Sequence, residues 1–321
     1  VEVSGLVRVG AIDCGTNSIR LLIAERANGR LHDVHREMRI VRLGQGVDAT
    51  GQFAAEALQR TRAALTDYAG LLSEHQVNRI RMVATSATRD AANRDVFFAM
   101  TADVLGTASP GAVAEVITGA EEAELSFRGA VAEMDSAEAP FVVVDLGGGS
   151  TEVVLGDGSE GEVLQSFSAD IGCVRLTERC LHSDPPTAQE VAGAREVVRE
   201  RLGVALDVVA VQRARTWVGV AGTMTTLSAL AQGLTVYDPA VIHLSRVPND
   251  TLLTTCEQLI GMTRKQRAAL GPMHEGRVDV IGGGAIIAEE VAQALADRAG
   301  IRELVVSEHD ILDGIALSIS D

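Results

Sequence analysis

Apolar and polar positions along the chain alternate between short β-branched runs and helical stripes. Val7–Asp13 and Ile19–Glu25 are apolar runs on either side of the polar turn Cys14–Ser18, and they predict a hairpin; regular patterning begins only at Val7. His35–Leu43 predicts a further strand leading into the Gly44-Gln45-Gly46 turn. From Ala54 to Leu72 the positions Ala57, Leu58, Leu65, Tyr68, Ala69 and Leu72 follow the helical period. Ile80–Ala84 is a short buried strand ending in the polar stretch Thr85–Arg89, a helix follows from Arg94, and Ala114–Ile117 is one more strand. Strands alternating with helices predict an α/β domain.

The pattern then starts again. Ala132–Pro140 is small, acidic and polar, and predicts a loop. Phe141–Leu155 predicts a second hairpin, with Asp157–Gly161 as its next turn and Glu162–Ser168 as a returning strand. Thr187 and Glu190 form a capping-box signature ahead of a helix from about Gln189 to Val209. Thr216–Val220 predicts a strand running into Gly222–Thr226 and a helix. Asp279–Gly284 leads into the helix Ala285–Ala299, Leu304–Ser307 is a last strand and Asp310–Ser318 a last helix. The two hairpins are versions of one device, 132 residues apart: Asp13 aligns with Asp145, Gly15 with Gly147 and Ser18 with Ser150.

A length of 321 residues favours two domains. Apolar content of 46% and charged content of 22% are ordinary for a folded soluble protein, and 3% aromatics leaves the cores to Val, Leu, Ile and Ala. No run reaches the ~18 apolar residues of a membrane span, and no secretory signal precedes Val7. Cys14, Cys173, Cys180 and Cys256 lack metal-ligand spacing and fit small buried thiols of a reducing compartment, so a cytoplasmic location is expected. The seven histidines form no HxxxH pair, and spacing assigns them no metal. A net charge of −16, with Lys265 the one lysine, argues against nucleic acid as a partner. It also means that any phosphate site needs local arginine, backbone N–H groups or a cation. Arg264-Lys265-Gln266-Arg267 is either a small basic patch or a solvated helix end.

The candidate chemistry is in the turns. Gly15 would allow a left-handed turn in which N–H groups converge on an anion, with Thr16, Asn17 and Ser18 adding side-chain donors; an ordinary Asx turn is the alternative. Gly147, Gly148 and Gly149 remove every Cβ from the second turn, which suits close approach by a ligand. Asp145 ends an apolar run and is poised to hold a hydrated Mg²⁺, with Glu152 within reach of the same space. Glu121, in Ile117-Thr-Gly-Ala-Glu-Glu-Ala-Glu124, reads either as a helix cap with Thr118 or as a catalytic base. Arg89 lies at a strand end, where α/β proteins bind ligands, and is either a phosphate ligand or a salt-bridge partner. Gly222-Thr223 and Gly282–Gly284 each read as a strand-to-helix turn, open to a nucleotide or required by packing.

These motifs together resemble the exopolyphosphatase/guanosine pentaphosphate phosphatase family, within the actin-like superfamily. The resemblance runs from Val7 to Asp313-Gly-Ile-Ala316 and is nearest to short actinobacterial forms. It implies an α/β fold of two actin-like (ribonuclease H-like) domains with an interdomain cleft. Expected boundaries are 1–124 plus a C-terminal helix at about 309–321 for one domain, and 125–308 for the other. It also implies Glu121 as general base, with Asp145 and Glu152 positioning Mg²⁺ (or Mn²⁺) and the attacking water. Gly147, Gly148, Gly149 and Ser150 would bind phosphate, as would Asn17, Ser18 and Arg89. The implied activity is release of the terminal phosphate of inorganic polyphosphate, by an enzyme that is a homodimer without membrane attachment. Hydrolysis of the 5′ γ-phosphate of guanosine pentaphosphate (pppGpp) and a non-catalytic polyphosphate or alarmone sensor are the other readings. A sugar or acid kinase of the same superfamily is a further one. The long members' C-terminal helical domains have no counterpart before Asp321.

Overall fold

In the computed structural model, residues 7–27, 30–77, 79–158 and 161–319 are described; residues 1–6, and part of the Asp157–Gly161 turn, lie outside them. The chain divides into two compact units, one holding the residues up to Leu125 together with those from Ile311 onward, the other Ser126–Asp310.

The first unit has one sheet. Its strands are β1 (Val7–Cys14), β2 (Ser18–Ala27), β3 (Arg30–Ile40), β4 (Arg79–Ala84) and β5 (Ala114–Val116), in the order β3-β2-β1-β4-β5. β1, β2 and β3 are antiparallel neighbours, while β4 and β5 run parallel to β1. One face carries Ile12, Leu21, Met82 and Ala84 into a core with Leu65, Tyr68 and Leu72 of the helix Ala55–Glu74. The other face packs Val9, Leu22 and Val83 against Ile311, Leu312 and Ile315 of the helix Ile311–Ser318. That helix sits so close that a Cβ on Gly314 would lie 1.9 Å from the Leu125 carbonyl oxygen. Arg36 Nη2 donates to Asp313 Oδ1 at 2.5 Å and ties it to β3.

The second unit repeats this plan. β6 (Phe141–Leu146), β7 (Thr151–Gly156), β8 (Val163–Ala169), β9 (Thr216–Val220), β10 (Ser245–Pro248) and β11 (Glu303–Val306) form a sheet ordered β10-β11-β9-β6-β7-β8. β6, β7 and β8 are antiparallel neighbours, and β9 and β11 run parallel to β6, so they match β1, β2, β3, β4 and β5 in turn. β10 is an added antiparallel edge. Helices Cys173–Cys180, Ala188–Val208, Asn249–Gly261 and Ile281–Ala299 contribute to its core, together with the fully buried Trp217. Two ion pairs, Arg195–Glu289 at 2.8 Å and Arg199–Glu290 at 2.7 Å, join the second and fourth of these helices. The Thr187/Glu190 capping box is formed.

The structure departs from the sequence expectations in several places. β3 starts at Arg30 rather than His35. The helices Cys173–Cys180 and Asn249–Gly261 and strand β10 were not predicted. Gly282–Gly284 follow a 3-10 turn, Glu275–Arg277, rather than a strand, and they lie inside the helix Ile281–Ala299. Arg267 is not a solvated helix end: it is buried, on a short helix capped by Thr263. Among the described residues no helix is long and apolar enough to cross a membrane.

Candidate active site

Both hairpin turns are closed by the same bond. The Gly15 N–H donates to Ser18 O at 3.0 Å, and the Gly147 N–H donates to Ser150 O at 3.0 Å. In each, the turn's carbonyls are tied to a neighbouring segment. Gly44 N–H donates to Thr16 O, and the N–H groups of Val41 and Arg42 donate to Asn17 O. Cys173 N–H donates to Gly147 O, and Val174 and Arg175 both donate to Gly148 O. A trans peptide holds its C=O and N–H on opposite sides. Fixing those carbonyls therefore turns the N–H groups of Asn17 and Ser18, and of Gly148 and Gly149, the other way. Among the described residues, the Gly148 and Gly149 N–H groups donate to no backbone carbonyl. Paired N–H groups turned to one side are the arrangement an anion nest requires.

The glycines have different reasons for being there. Gly15 does not take the left-handed φ expected of it, and a Cβ would meet only Ser18 O at 3.6 Å, an ordinary contact. Neither φ nor packing demands glycine there. Gly172 is demanded, because a Cβ would lie 2.4 Å from the Gly148 carbonyl oxygen and 2.5 Å from the Gly149 nitrogen. The remaining glycine-rich stretches pack against side chains. A Cβ on Gly222 would meet the Arg277 guanidinium at 2.5 Å, on Gly282 the Arg267 guanidinium at 2.8 Å, and on Gly283 the Thr177 hydroxyl at 2.5 Å. Gly222 stands where β9 runs into the helix Ala221–Ala231, as expected, whereas Gly282–Gly284 lie inside a helix; at each, side chains occupy the space beside the glycine.

The two aspartates have opposite partners. Asp13 pairs across the β1–β2 ladder with Arg20, whose Nη2 lies 2.7 Å from its Oδ2. Asp145 pairs across the β6–β7 ladder with Glu152, and both are buried, at 6% and 1% exposure. Directly opposed residues share one face of a sheet. The first position is thus charge-balanced, while the second sets two carboxylates side by side. Ser126 Oγ donates to Asp145 Oδ2 at 2.5 Å, and Ser168 Oγ donates to Glu152 Oε1 at 2.7 Å. Adjacent buried carboxylates on an oxygen-only face fit a hard divalent cation such as Mg²⁺ or Mn²⁺.

The glutamates next to one another in the helix Gly119–Val131 are separated by their environments. Glu121 is 43% exposed; its N–H donates to Thr118 Oγ1, a helix-capping bond, and its carboxylate accepts from Arg81 Nη2 at 2.6 Å. Glu122 is buried and faces the C-terminal ends of β1, β4 and β5. It accepts from Arg89 Nη1 at 2.6 Å and from the Thr85 hydroxyl, and Asp13 is close enough to raise its pKa. Burial is the larger reason that the Glu122 pKa is raised, working against the Arg89 guanidinium. Of the two neighbours, Glu122 is the buried one with the raised pKa, and Glu121 is the exposed one that forms the expected cap with Thr118. The pattern Glu-Glu-Ala is symmetric enough to hide the difference; helical phase relative to the strand ends is the signal that separates them. Arg89 also donates to Ile117 O, so it positions Glu122 as well as facing the strand ends.

Comparison with known proteins gives the family and the fold. The Ppx/GppA phosphatase family model matches residues 22–319. Exopolyphosphatase 2 of Mycobacterium tuberculosis is 74% identical over 319 residues, covering 98% of this chain and 99% of that protein. A guanosine-5′-triphosphate,3′-diphosphate pyrophosphatase of Photobacterium profundum is 32% identical over 226 residues, 70% of this chain and 44% of that one. The crystal structure of an exopolyphosphatase-like protein superposes with a TM-score of 0.92 at 44% identity, covering 97% of each chain. The architecture is the two-domain actin-like α/β fold. From β1 to the last helix, the chain belongs to the Ppx/GppA phosphatase family.

Proposed function

We propose that the chain is an exopolyphosphatase that hydrolyses the terminal phosphoanhydride of inorganic polyphosphate, with Glu122 as the general base. The observation that carries this is a buried carboxylate with a raised pKa, held by Arg89 at the strand ends beside Asp13. Such a group takes a proton from water near neutral pH, where an ordinary carboxylate is too weak a base. The nests of Gly148–Gly149 and Asn17–Ser18 would hold phosphoryl oxygens by backbone N–H, and Ser150 borders the first. Asp145 and Glu152 would hold the divalent cation, which supplies charge neutralisation of the phosphoryl oxygens when bound. Glu152 is thereby a cation ligand rather than a second base. Catalysis then rests on positioning and electrostatic stabilisation.

The test is phosphate release from polyphosphate by wild type, E121Q and E122Q. E122Q is expected to lose roughly 10²–10⁴ in kcat with KM little changed, and E121Q to stay within a few-fold of wild type. Equal loss in both, or loss only in E121Q, would return the base to Glu121. The similarity to the Photobacterium profundum protein supports pppGpp as a second substrate, assayed in parallel. Against a nucleoside at the glycine stretches stand Arg277 and Arg267, whose guanidinium groups lie against Gly222 and Gly282. Release from neither substrate, with tight binding of either, would favour a sensor. The cytoplasmic location, supported by the scattered free thiols, and the homodimeric state, supported by the family resemblance, are part of this proposal.

A further inference from the structure

Away from the phosphate loops, Glu133, His243 and His309 each bring one ligand atom to a common point, with all three atoms within 4.8 Å of one another. All belong to the second unit but come from separate segments. Glu133 follows the helix Gly119–Val131, His243 caps the short helix Pro239–Ile242 ahead of β10, and His309 lies between β11 and the helix Ile311–Ser318. His243 Nε2 is 3.1 Å from Glu133 Oε2, and His309 Nδ1 is 3.9 Å from Glu133 Oε1. The two imidazoles lie with centroids 4.5 Å apart.

Those separations have the size of a coordination polyhedron. Ligand atoms about 2.0–2.1 Å from a tetrahedral ion sit about 3.4 Å from one another; the distances from the two imidazoles, each to a different oxygen of Glu133, lie on either side of that value, so a small rotation of the carboxylate brings one oxygen to both. The backbones at both histidines are held. His243 N–H donates to Pro239 O at 2.9 Å, and Ser307 Oγ donates to His309 O at 2.9 Å. Glu133, more than half exposed, is the ligand free to adjust. We propose that Glu133, His243 and His309 form a site for a divalent transition-metal ion of the Zn²⁺ type, bound through two imidazole nitrogens and one carboxylate oxygen. This donor set is borderline in character, unlike the oxygen-only pair Asp145 and Glu152, so the two sites select different ions.

His243 sets the competition. Its Nδ1 accepts the N–H of Glu308 at 3.2 Å, so without metal the proton is on Nε2 and is donated to Glu133. A metal at Nε2 moves the proton to Nδ1 and gives up that amide contact, which holds the affinity below that of a preformed site. The bound ion would staple the three segments together.

The experiment is titration of the chelator-treated full chain with Co²⁺, reading the visible d–d absorption of nitrogen-liganded cobalt alongside the Tm. Wild type is expected to saturate at one equivalent with a rise in Tm. H309A should abolish the band, E133Q should weaken binding at least tenfold, and D145N should retain it. Absence of the band in wild type at millimolar Co²⁺ overturns the proposal, as does an unchanged band in both H309A and E133Q. Should H309A lower the metal-free Tm, E133Q, which keeps the shape of the side chain, decides. No ligand here belongs to the hydrolytic site, so the result is independent of the proposed activity.

Discussion

At the residue scale, Glu121 and Glu122 differ by one position and by nearly everything a carboxylate feels. Because burial raises the Glu122 pKa, the folded chain binds this proton more tightly than the unfolded chain. Its contribution to stability is therefore full below the unfolded value, about 4.3, and is lost as pH rises through the folded one. E122Q removes the buried charge, so its Tm should exceed that of wild type at pH 8, with the gap closing as pH falls. A Tm below wild type at pH 8 would mean that the Arg89 pair outweighs the desolvation. Activity should follow the same titration from the other side. The acid limb of kcat/KM should lie above the ordinary carboxylate range, and R89A, which removes the cation that opposes the shift, should move it to higher pH. An unmoved limb in R89A would place the titrating group elsewhere.

At the element scale, the two hairpin turns are defined by what ties down their carbonyls. Gly172 is where the second loop rests on the start of the helix Cys173–Cys180. Gly172→Ala forces a methyl group into the Gly148–Gly149 backbone. It should cost on the order of 1–3 kcal/mol and most of the activity, measured by thermal melting and phosphate release. Wild-type activity in that variant would show that the loop tolerates displacement. The hairpins, the Ala55–Glu74 helix and the Thr187/Glu190 cap were legible because period, turn and cap signals agree locally. Cys173–Cys180 was not: it is amphipathic, burying Cys173, Val174 and Leu176, but it is too short for the helical period to stand out in a window of sequence, and its packing partners are distant. The candidate site divides the same way: Asp145, Glu152 and the glycines stand in one contiguous motif, whereas which of Glu121 and Glu122 is buried depends on helix phase. The Glu133–His243–His309 cluster depends on segments far apart in the chain, so no spacing rule could find it.

At the scale of the whole molecule, one sheet plan occurs twice, and its two copies differ at the position opposite the aspartate. Arg20 neutralises Asp13, while Glu152 adds a second negative charge to Asp145. This difference predicts opposite responses to one chemical change. D13N leaves Arg20 without that carboxylate and should lower the Tm measured without metal. D145N relieves two adjacent buried carboxylates and should raise it. With Mg²⁺ or Mn²⁺ present the order should reverse in sensitivity. An ion that binds only the folded chain adds about 2.7 kcal/mol at a hundredfold excess over its Kd, several degrees for a domain of this size. D13N should keep that metal-dependent rise, D145N should lose it, and chelation should abolish turnover in wild type. Melting curves of the three proteins with and without metal read all of this directly. An equal metal response in D13N and D145N would remove the division of labour between the hairpins, leaving both as phosphate loops and the cation to be held elsewhere.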